Sequence, residues 1–330
     1  MFEECTIGGR RFAPARFGAP MAGYSHSAFR RVLGEFGGCG ALWTEMLAAR
    51  QILSEDFQKS PWVRRRPEDG FTFYQLMVRA GDPLDRVLDC LGDQGVDAVD
   101  LNLACDAFSI RAAEAGSALF EDLDALGRVA RTSRRFWPGL LTAKIRLGRR
   151  HPDWQACFIE RVRMLEDAGL DALIVHPRFF EDKFRRRVRL ELLPWVASLT
   201  RLPLIANGDL GGAPCVARHA AHLQAASGIM IGRMAVARPW IFARWDRPGT
   251  IDYAAVWCRI CDCVTEDFPA AAALRRVQMF TKYYAANFAF GHRFWVGVAN
   301  APDLTEARRR AAAFFAQTPA VLAHPTIAGL

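Results

Sequence analysis

The chain has 330 residues, 51% of them hydrophobic, which is apolar material enough for one large α/β domain with an appendage or for two ordinary domains. The opening segment MFEECTIGGRRF is acidic where an export signal is basic, and no run approaches the roughly 18 apolar residues that span a bilayer, so a cytoplasmic protein without a membrane anchor is expected. A net charge of +8 favours a polyanionic partner, and nine cysteines without framework spacing argue against a disulfide scaffold.

Along the chain, short apolar β-branched runs alternate with amphipathic stretches. Strands are predicted at 17–21, 41–46, 72–77, 98–103, 140–145, 172–176, 203–206 and 228–231. Between them, SHSAFRRVLGEF, DPLDRVLDCL, FEDLDALGRVARTSRRF, WQACFIERVRMLEDAG and CVARHAAHLQAA read as helices. Strand followed by helix, eight times over, predicts a (β/α)8 TIM barrel of typically about 250 residues. Residues 1–245 form that expected barrel, and Pro248 with Gly249 supply the break after it. Residues 246–330 lack strand alternation and carry YAAVWCRICDCV, AALRRVQMFTKYYAANF and LTEARRRAAAFFAQ, which predict a small all-helical C-terminal domain. The CRICDC cluster offers a CxxC, yet no second Cys or His pair lies at zinc spacing, so no metal is expected there.

Barrel enzymes build their sites at the C-terminal ends of the strands, so polar residues at those ends carry functional weight. The first predicted strand leads into Pro20, Met21 and Ala22, the third contains Gln75, and the fourth runs through Asn102 to Cys105. The fifth carries Lys144 and Arg146, the sixth His176 and Arg178, the seventh Asn207, Gly208 and Asp209, and the eighth Gly232 and Arg233. Lys144 and Arg146 stand two apart and share a face, which is the barrel interior if Ala143 and Ile145 face the helices. Two inward cations need an anion: either a carboxylate, with Asp209 and Glu45 available, or a bound anionic ligand.

The ends of strands seven and eight are where barrels cradle a phosphate on backbone N–H groups, with Gly232 permitting close approach and Pro239 placed to open the next helix. His176 reads equally as a structural histidine or a ligand contact. Gln75 is either a satisfied core amide or a partner for a flat heterocycle with alternating donors and acceptors. Phosphate site, interior lysine, amide and thiol together describe a flavin mononucleotide pocket better than a sugar-phosphate pocket. Basic residues cluster at 64–66, 149–150, 183–189, 275–276 and 308–310, a spread suited to an extended RNA footprint or to a solvated surface. Aromatics at helical spacing in the tail fit a packed core as well as base stacking.

The chain resembles the tRNA-dihydrouridine synthases, FMN-dependent enzymes built from a barrel and a helical domain. The resembling pieces are APMAGYSHSAFR (19–30), TEM (44–46), YQL (74–76), DLNLAC (100–105) with AGSAL (115–119), KIRLG (144–148), HPR (176–178), NGD (207–209) and IGRMAVARPWIF (231–242), in the family's order. The resemblance implies FMN held by Pro20, Met21, Ala22, Gln75, Lys144, His176, Asn207, Gly208, Asp209, Gly232 and Arg233. It implies Cys105 as proton donor, Asn102 at the substrate uracil and Arg178 on the substrate side. It further implies NADPH or NADH as reductant, tRNA as partner and a monomeric enzyme without metal.

The implied reaction reduces the C5–C6 double bond of a uridine, with hydride delivered from FMN N5 to C6 and a proton from Cys105 to C5. Two departures stand out: Ala104-Cys105-Asp106 replaces the family's Gly-Cys-Pro, and Pro177 stands where glycine is usual. Asp106, if it points inward, would raise the pKa of the neighbouring thiol. Two rival readings are an FMN-barrel oxidoreductase acting on a free pyrimidine, dihydroorotate-dehydrogenase-like, and a non-catalytic RNA-binding relative. The basic clusters and the helical tail argue against the first, and Asp106 suggests the second.

Overall fold

The computed structural model describes residues 1–183, 186–247 and 249–327. Pro248, half of the expected break, and Arg185 of the basic run lie outside them. Among the described residues eight parallel strands form one sheet: β1 (Arg16–Gly18), β2 (Leu42–Ala48), β3 (Thr72–Met77), β4 (Ala98–Leu103), β5 (Leu140–Arg146), β6 (Ala172–His176), β7 (Leu204–Asn207) and β8 (Gly228–Ile231). They are hydrogen-bonded in the order β1-β8-β7-β6-β5-β4-β3-β2. A single bridge from Phe17 to Ala41, with the Gly18 N–H donating to the Ala41 carbonyl at 3.0 Å, closes the ring between β1 and β2. The result is a TIM barrel with helices around it and a helical C-terminal region.

β1 stops at Gly18, short of the expected Met21, because Pro20 has no N–H to give a ladder. The run expected to be one helix from Phe120 is two. Asp122 ends Ser117–Glu121 and caps Leu123–Phe136, its carboxylate accepting the Ala125 N–H at 2.9 Å. Pro239 follows the helix Arg233–Ala237 instead of opening one.

Alternation along the strands divides the barrel into layers. Phe17, Trp43, Phe73, Ile174, Ile205 and Met230 fill its lower interior, with Trp43 stacked on Phe73 at 4.0 Å between ring centroids. A hairpin of Cys5–Ile7 and Arg10–Phe12, absent from the sequence expectation, plugs the N-terminal end, where Phe12 meets Phe17 edge-on at 5.6 Å. The opposite end therefore stays open for polar residues.

The C-terminal region comprises the helices Tyr253–Asp267, Ala270–Tyr284, Gly291–Ala299 and Leu304–Phe315. Its aromatics are mostly core: Phe280, Tyr284, Phe288 and Phe294 are buried, and Phe294 stacks on Phe314 at 4.7 Å. Many of the clustered arginines are structural ties. Arg66 and Arg64 reach Asp267, Arg308 reaches Asp262, and Arg309 and Arg310 grip Glu306. Arg275 and Arg293 lie exposed on the surface of this region.

Candidate active site

The strand ends converge on a cavity of ≈ 580 Å³, closed on one side by Tyr283 of the helix Ala270–Tyr284. Its lining contains Pro20, Met21 and Ala22 from the loop after β1, Gln75 from β3, Asn102 and Cys105 from β4 and the turn beyond it, and Lys144 from β5. His176, Asn207, Gly208, Asp209, Gly232 and Arg233 complete the far side. Of the residues that the resemblance assigns to cofactor, catalysis or substrate, Arg178 alone is missing from this lining. It is 2% exposed and stands behind the pocket, with Nη1 3.2 Å from His176 Nε2 and Nε donating to the Arg186 carbonyl at 2.7 Å.

Three strands place a hydrogen-bonded chain across the cavity floor. Asp100 lies opposite Gln75 in the β3–β4 register and opposite Thr142 in the β4–β5 register. Its carboxylate accepts from Gln75 Nε2 at 2.7 Å and from Thr142 Oγ1 at 2.6 Å. Gln75 Oε1 accepts from Asn102 Nδ2 at 2.8 Å, and Asn102 Oδ1 accepts the N–H groups of Ala104 at 3.2 Å and Cys105 at 3.0 Å. Burial pushes the Asp100 carboxyl up to about 6, against the hydrogen bonds from Thr142 and Gln75 and the charge of Lys144. Neither Asp100 nor Thr142 was among the sequence candidates. The signal was there, since each stands two residues before one on the interior face.

Cys105 is held from both sides, because its carbonyl accepts the Ser117 N–H at 2.9 Å. Asp106 Oδ1 accepts from Ser117 Oγ at 2.8 Å and lies 3.5 Å from Arg111 Nε. Phe108, the third residue beyond the cysteine, lines the cavity and is 78% exposed.

The two carboxylates weighed as partners for the β5 cations are engaged elsewhere. Asp209 accepts from Arg178 Nη2 at 2.5 Å and from Arg233 Nη2 at 2.6 Å, tying the ends of β6, β7 and β8 together. Glu45 accepts the Gly23 N–H at 2.6 Å, while Arg276 of the C-terminal region donates to the Gly23 carbonyl at 3.1 Å. Lys144 makes no ion pair among the described residues. Burial, reinforced by the charge of Arg146, pushes its amine down to about 8, with Asp100 and Cys105 opposing. His176 is held neutral, its pKa well below the usual range, by burial and by the charges of Lys144, Arg146, Arg178 and Arg233. A neutral ring accepts at Nε2 from Arg178.

Gly208 has φ +119, and a Cβ there would lie 2.7 Å from His176 Cδ2. At Gly232 a Cβ would lie 2.9 Å from Met21 Sδ. A Cβ at either position would collide with neighbouring side chains, so the backbone at these two strand ends stays bare. An interior lysine with no ion pair among the described residues, bare backbone at two strand ends and a row of amides make a site for a planar heterocycle carrying an anionic group. The volume lies inside the range of ordinary cofactor sites. Among the described residues no group of three or more His, Cys, Asp or Glu gathers at metal-holding distance. No helix there is long and apolar enough to cross a membrane.

A family model described as dihydrouridine synthase matches residues 17–296. The tRNA-dihydrouridine synthase B of Proteus vulgaris is 30% identical over 227 residues, 68% of each chain. A probable tRNA-dihydrouridine synthase of Rhizobium leguminosarum bv. phaseoli is 28% identical over 280 residues, 82% of this chain and 85% of that one. Among solved structures, the old yellow enzyme homologue from Zymomonas mobilis overlays 78% of this chain and 95% of its own with a TM-score of 0.52. At 15% identity this is a likeness of fold.

Proposed function

This chain belongs to the dihydrouridine synthase family, and from that premise we propose that it reduces the C5–C6 double bond of uridines in tRNA to dihydrouridine, with FMN as resident cofactor and NADPH or NADH as reductant. The observation that carries the reading is one cavity joining Lys144, which has no ion-pair partner among the described residues, to the thiol-bearing turn at Cys105. The same cavity supplies the bare backbone of Gly208 and Gly232 for a phosphate.

In this assignment Gly208, Gly232, Asn207 and Arg233 hold the phosphate, Gln75 and His176 face the ring system, and Pro20, Met21 and Ala22 cover it. Asp209 fixes Arg233 and Arg178 so that neither side chain wanders. When bound, FMN supplies the hydride for uridine C6 and is recharged by NAD(P)H. Lys144 would place its cation beside the ring system of the bound cofactor. Cys105 gives the proton of its thiol to C5, leaving the product with one hydrogen added at each carbon. Asn102 orients the uracil while its carbonyl keeps the Cys105 N–H fixed. Since the cavity lies among the strand ends of the barrel, a stacked uracil must be extruded from the RNA to enter it.

Residues 1–245 act as the FMN-binding barrel and 246–330 as the RNA-holding domain of a cytoplasmic, monomeric enzyme. The test is Cys105→Ala, purified with its flavin. Bound FMN measured by its yellow absorbance should stay at the wild-type level while dihydrouridine formation in tRNA collapses by about 10²-fold or more. Full activity in that variant removes the proton-donor role.

A further inference from the structure

We infer that Asp100 is a positioning residue, an acceptor-only anchor that sets the direction of the Gln75–Asn102 amide chain and through it the placement of the Cys105 turn. The inference rests on the reading of Cys105 and Asn102 given above. Both ends of the hydrogen-bonded chain have a fixed polarity. At the upper end stand the N–H groups of Ala104 and Cys105, which can only donate. At the lower end stands a fully buried carboxylate, which when ionised can only accept.

Between these ends lie two side-chain amides, each with one accepting and one donating end. Only one arrangement satisfies every junction: Gln75 Nε2 toward Asp100, Gln75 Oε1 toward Asn102 Nδ2, and Asn102 Oδ1 toward the turn. Reversing either amide sets oxygen against oxygen or N–H against N–H at distances of 2.7 to 3.0 Å. The orientation therefore follows from the ends, without reliance on how amide atoms are distinguished. It also decides which amide atoms remain for a ligand above Gln75 and Asn102.

Filling space does not explain this carboxylate. Asp100 makes no ion pair among the described residues, and burial has already pushed it up to about 6, so its charge is kept at an energetic cost. What an apolar residue cannot provide is a direction for the amides above it.

The test compares three variants of the flavin-loaded full chain: Asp100→Asn, Asp100→Leu and the pair Asp100→Asn with Thr142→Val. An asparagine can still turn its oxygen to Gln75 and give its NH₂ to Thr142 Oγ1, so Asp100→Asn should keep the rate of uridine reduction within about threefold. Leucine supplies no acceptor, and in the paired variant the introduced amide has lost the Thr142 hydroxyl, so nothing on that side holds its oxygen toward Gln75. In both, uridine reduction should fall by about tenfold or more at unchanged flavin content, as expected for a lost buried hydrogen bond of ~1.4 kcal/mol.

A second readout does not depend on turnover. Alkylation of Cys105 by iodoacetamide, followed on its own peptide by mass spectrometry, should be unchanged in Asp100→Asn. It should speed up several-fold in the other two variants as the turn loosens. Wild-type alkylation and wild-type turnover in either of these two would overturn the inference. So would an Asp100→Asn as impaired as Asp100→Leu, since charge and not accepting capacity would then be what matters. If Asp100→Leu fails to fold, the paired variant decides. If Cys105→Ala proves fully active, the proton-donor reading fails by itself, and the alkylation series still judges the anchor.

Discussion

Replacing Lys144 by methionine should make the flavin-free protein more stable. The amine sits among β5 neighbours that offer it no ion pair among the described residues, and its pKa is pushed from 10.5 down to about 8. At 1.36 kcal/mol per tenfold change in proton affinity, holding the cation there costs about 3 kcal/mol. Water in the open part of the cavity reduces this, and ~1–3 kcal/mol is the expected gain for a methionine of similar volume. The sign of the pH effect follows from linkage. The folded-state pKa is the depressed one, so the penalty is complete below about 8 and is relieved as pH rises towards 10.5, where the unfolded chain also loses its proton. The stability of wild type should thus climb relative to Lys144→Met across that window. Urea unfolding of both proteins, stripped of flavin, at neutral pH and near the upper end of the window provides the measurement. Adding FMN should reverse the order at neutral pH, because a ligand that binds the native state alone stabilises it by mass action and only wild type binds it tightly. A wild type at least as stable as the variant at neutral pH, with no relative gain on the alkaline side, would mean that the amine has a carboxylate partner. That result would refute the assignment of Lys144 as a cation held for a ligand.

Asp209→Asn should lower unfolding free energy by about 2–4 kcal/mol, because it weakens two charge-assisted bonds, one of them from the buried Arg178; an unaltered melting temperature would contradict that clamp. Ser117→Ala should cost about 1–2 kcal/mol, and Ser117→Ala with Asp106→Ala should cost less than the sum of the single changes; strict additivity in a double-mutant cycle would show the 2.8 Å bond to be idle. Changing Arg275, Lys282 and Arg293 together to glutamine should raise KM for tRNA and lower the salt dependence of binding by about 0.9 for each phosphate no longer neutralised, while NADPH-driven flavin reduction in the absence of RNA stays as it was. An unchanged salt slope would place the RNA on another face.

The barrel was legible because its signal is local. Short apolar runs buried at nearly every residue mark the strands, and the main error, a first strand three residues too long, traces to giving Pro20 a ladder bond it cannot make. The N-terminal hairpin also has a local signal: Gly8-Gly9 at φ +52 and +80 is the turn that joins two short strands. The positions of the site residues were legible for the same reason, since barrel topology brings strand ends together wherever they fall in the chain. Their partners were not. That Asp209 holds Arg178 and Arg233, that Glu45 holds Gly23, and that Tyr283 walls the cavity from the C-terminal region all depend on which elements pack together, and no periodicity encodes that.

Where the resemblance implies Gly-Cys-Pro, the Ala104-Cys105-Asp106 segment is held by contacts of its own. A proline after the cysteine would stiffen the turn through its fixed φ. Here stiffness comes from outside the segment: Asn102 Oδ1 takes the Cys105 N–H, and Ser117 donates its N–H to the Cys105 carbonyl and its hydroxyl to Asp106. Asp106 is thereby turned to a partner that a proline could not have used, with Arg111 sharing its charge. Two polar side chains, both fixed by the barrel and the short helix Ser117–Glu121, replace the restraint of one ring. The thiol's placement consequently depends on residues 102 and 117, and substitutions there should weaken the site at least as much as substitutions at 106.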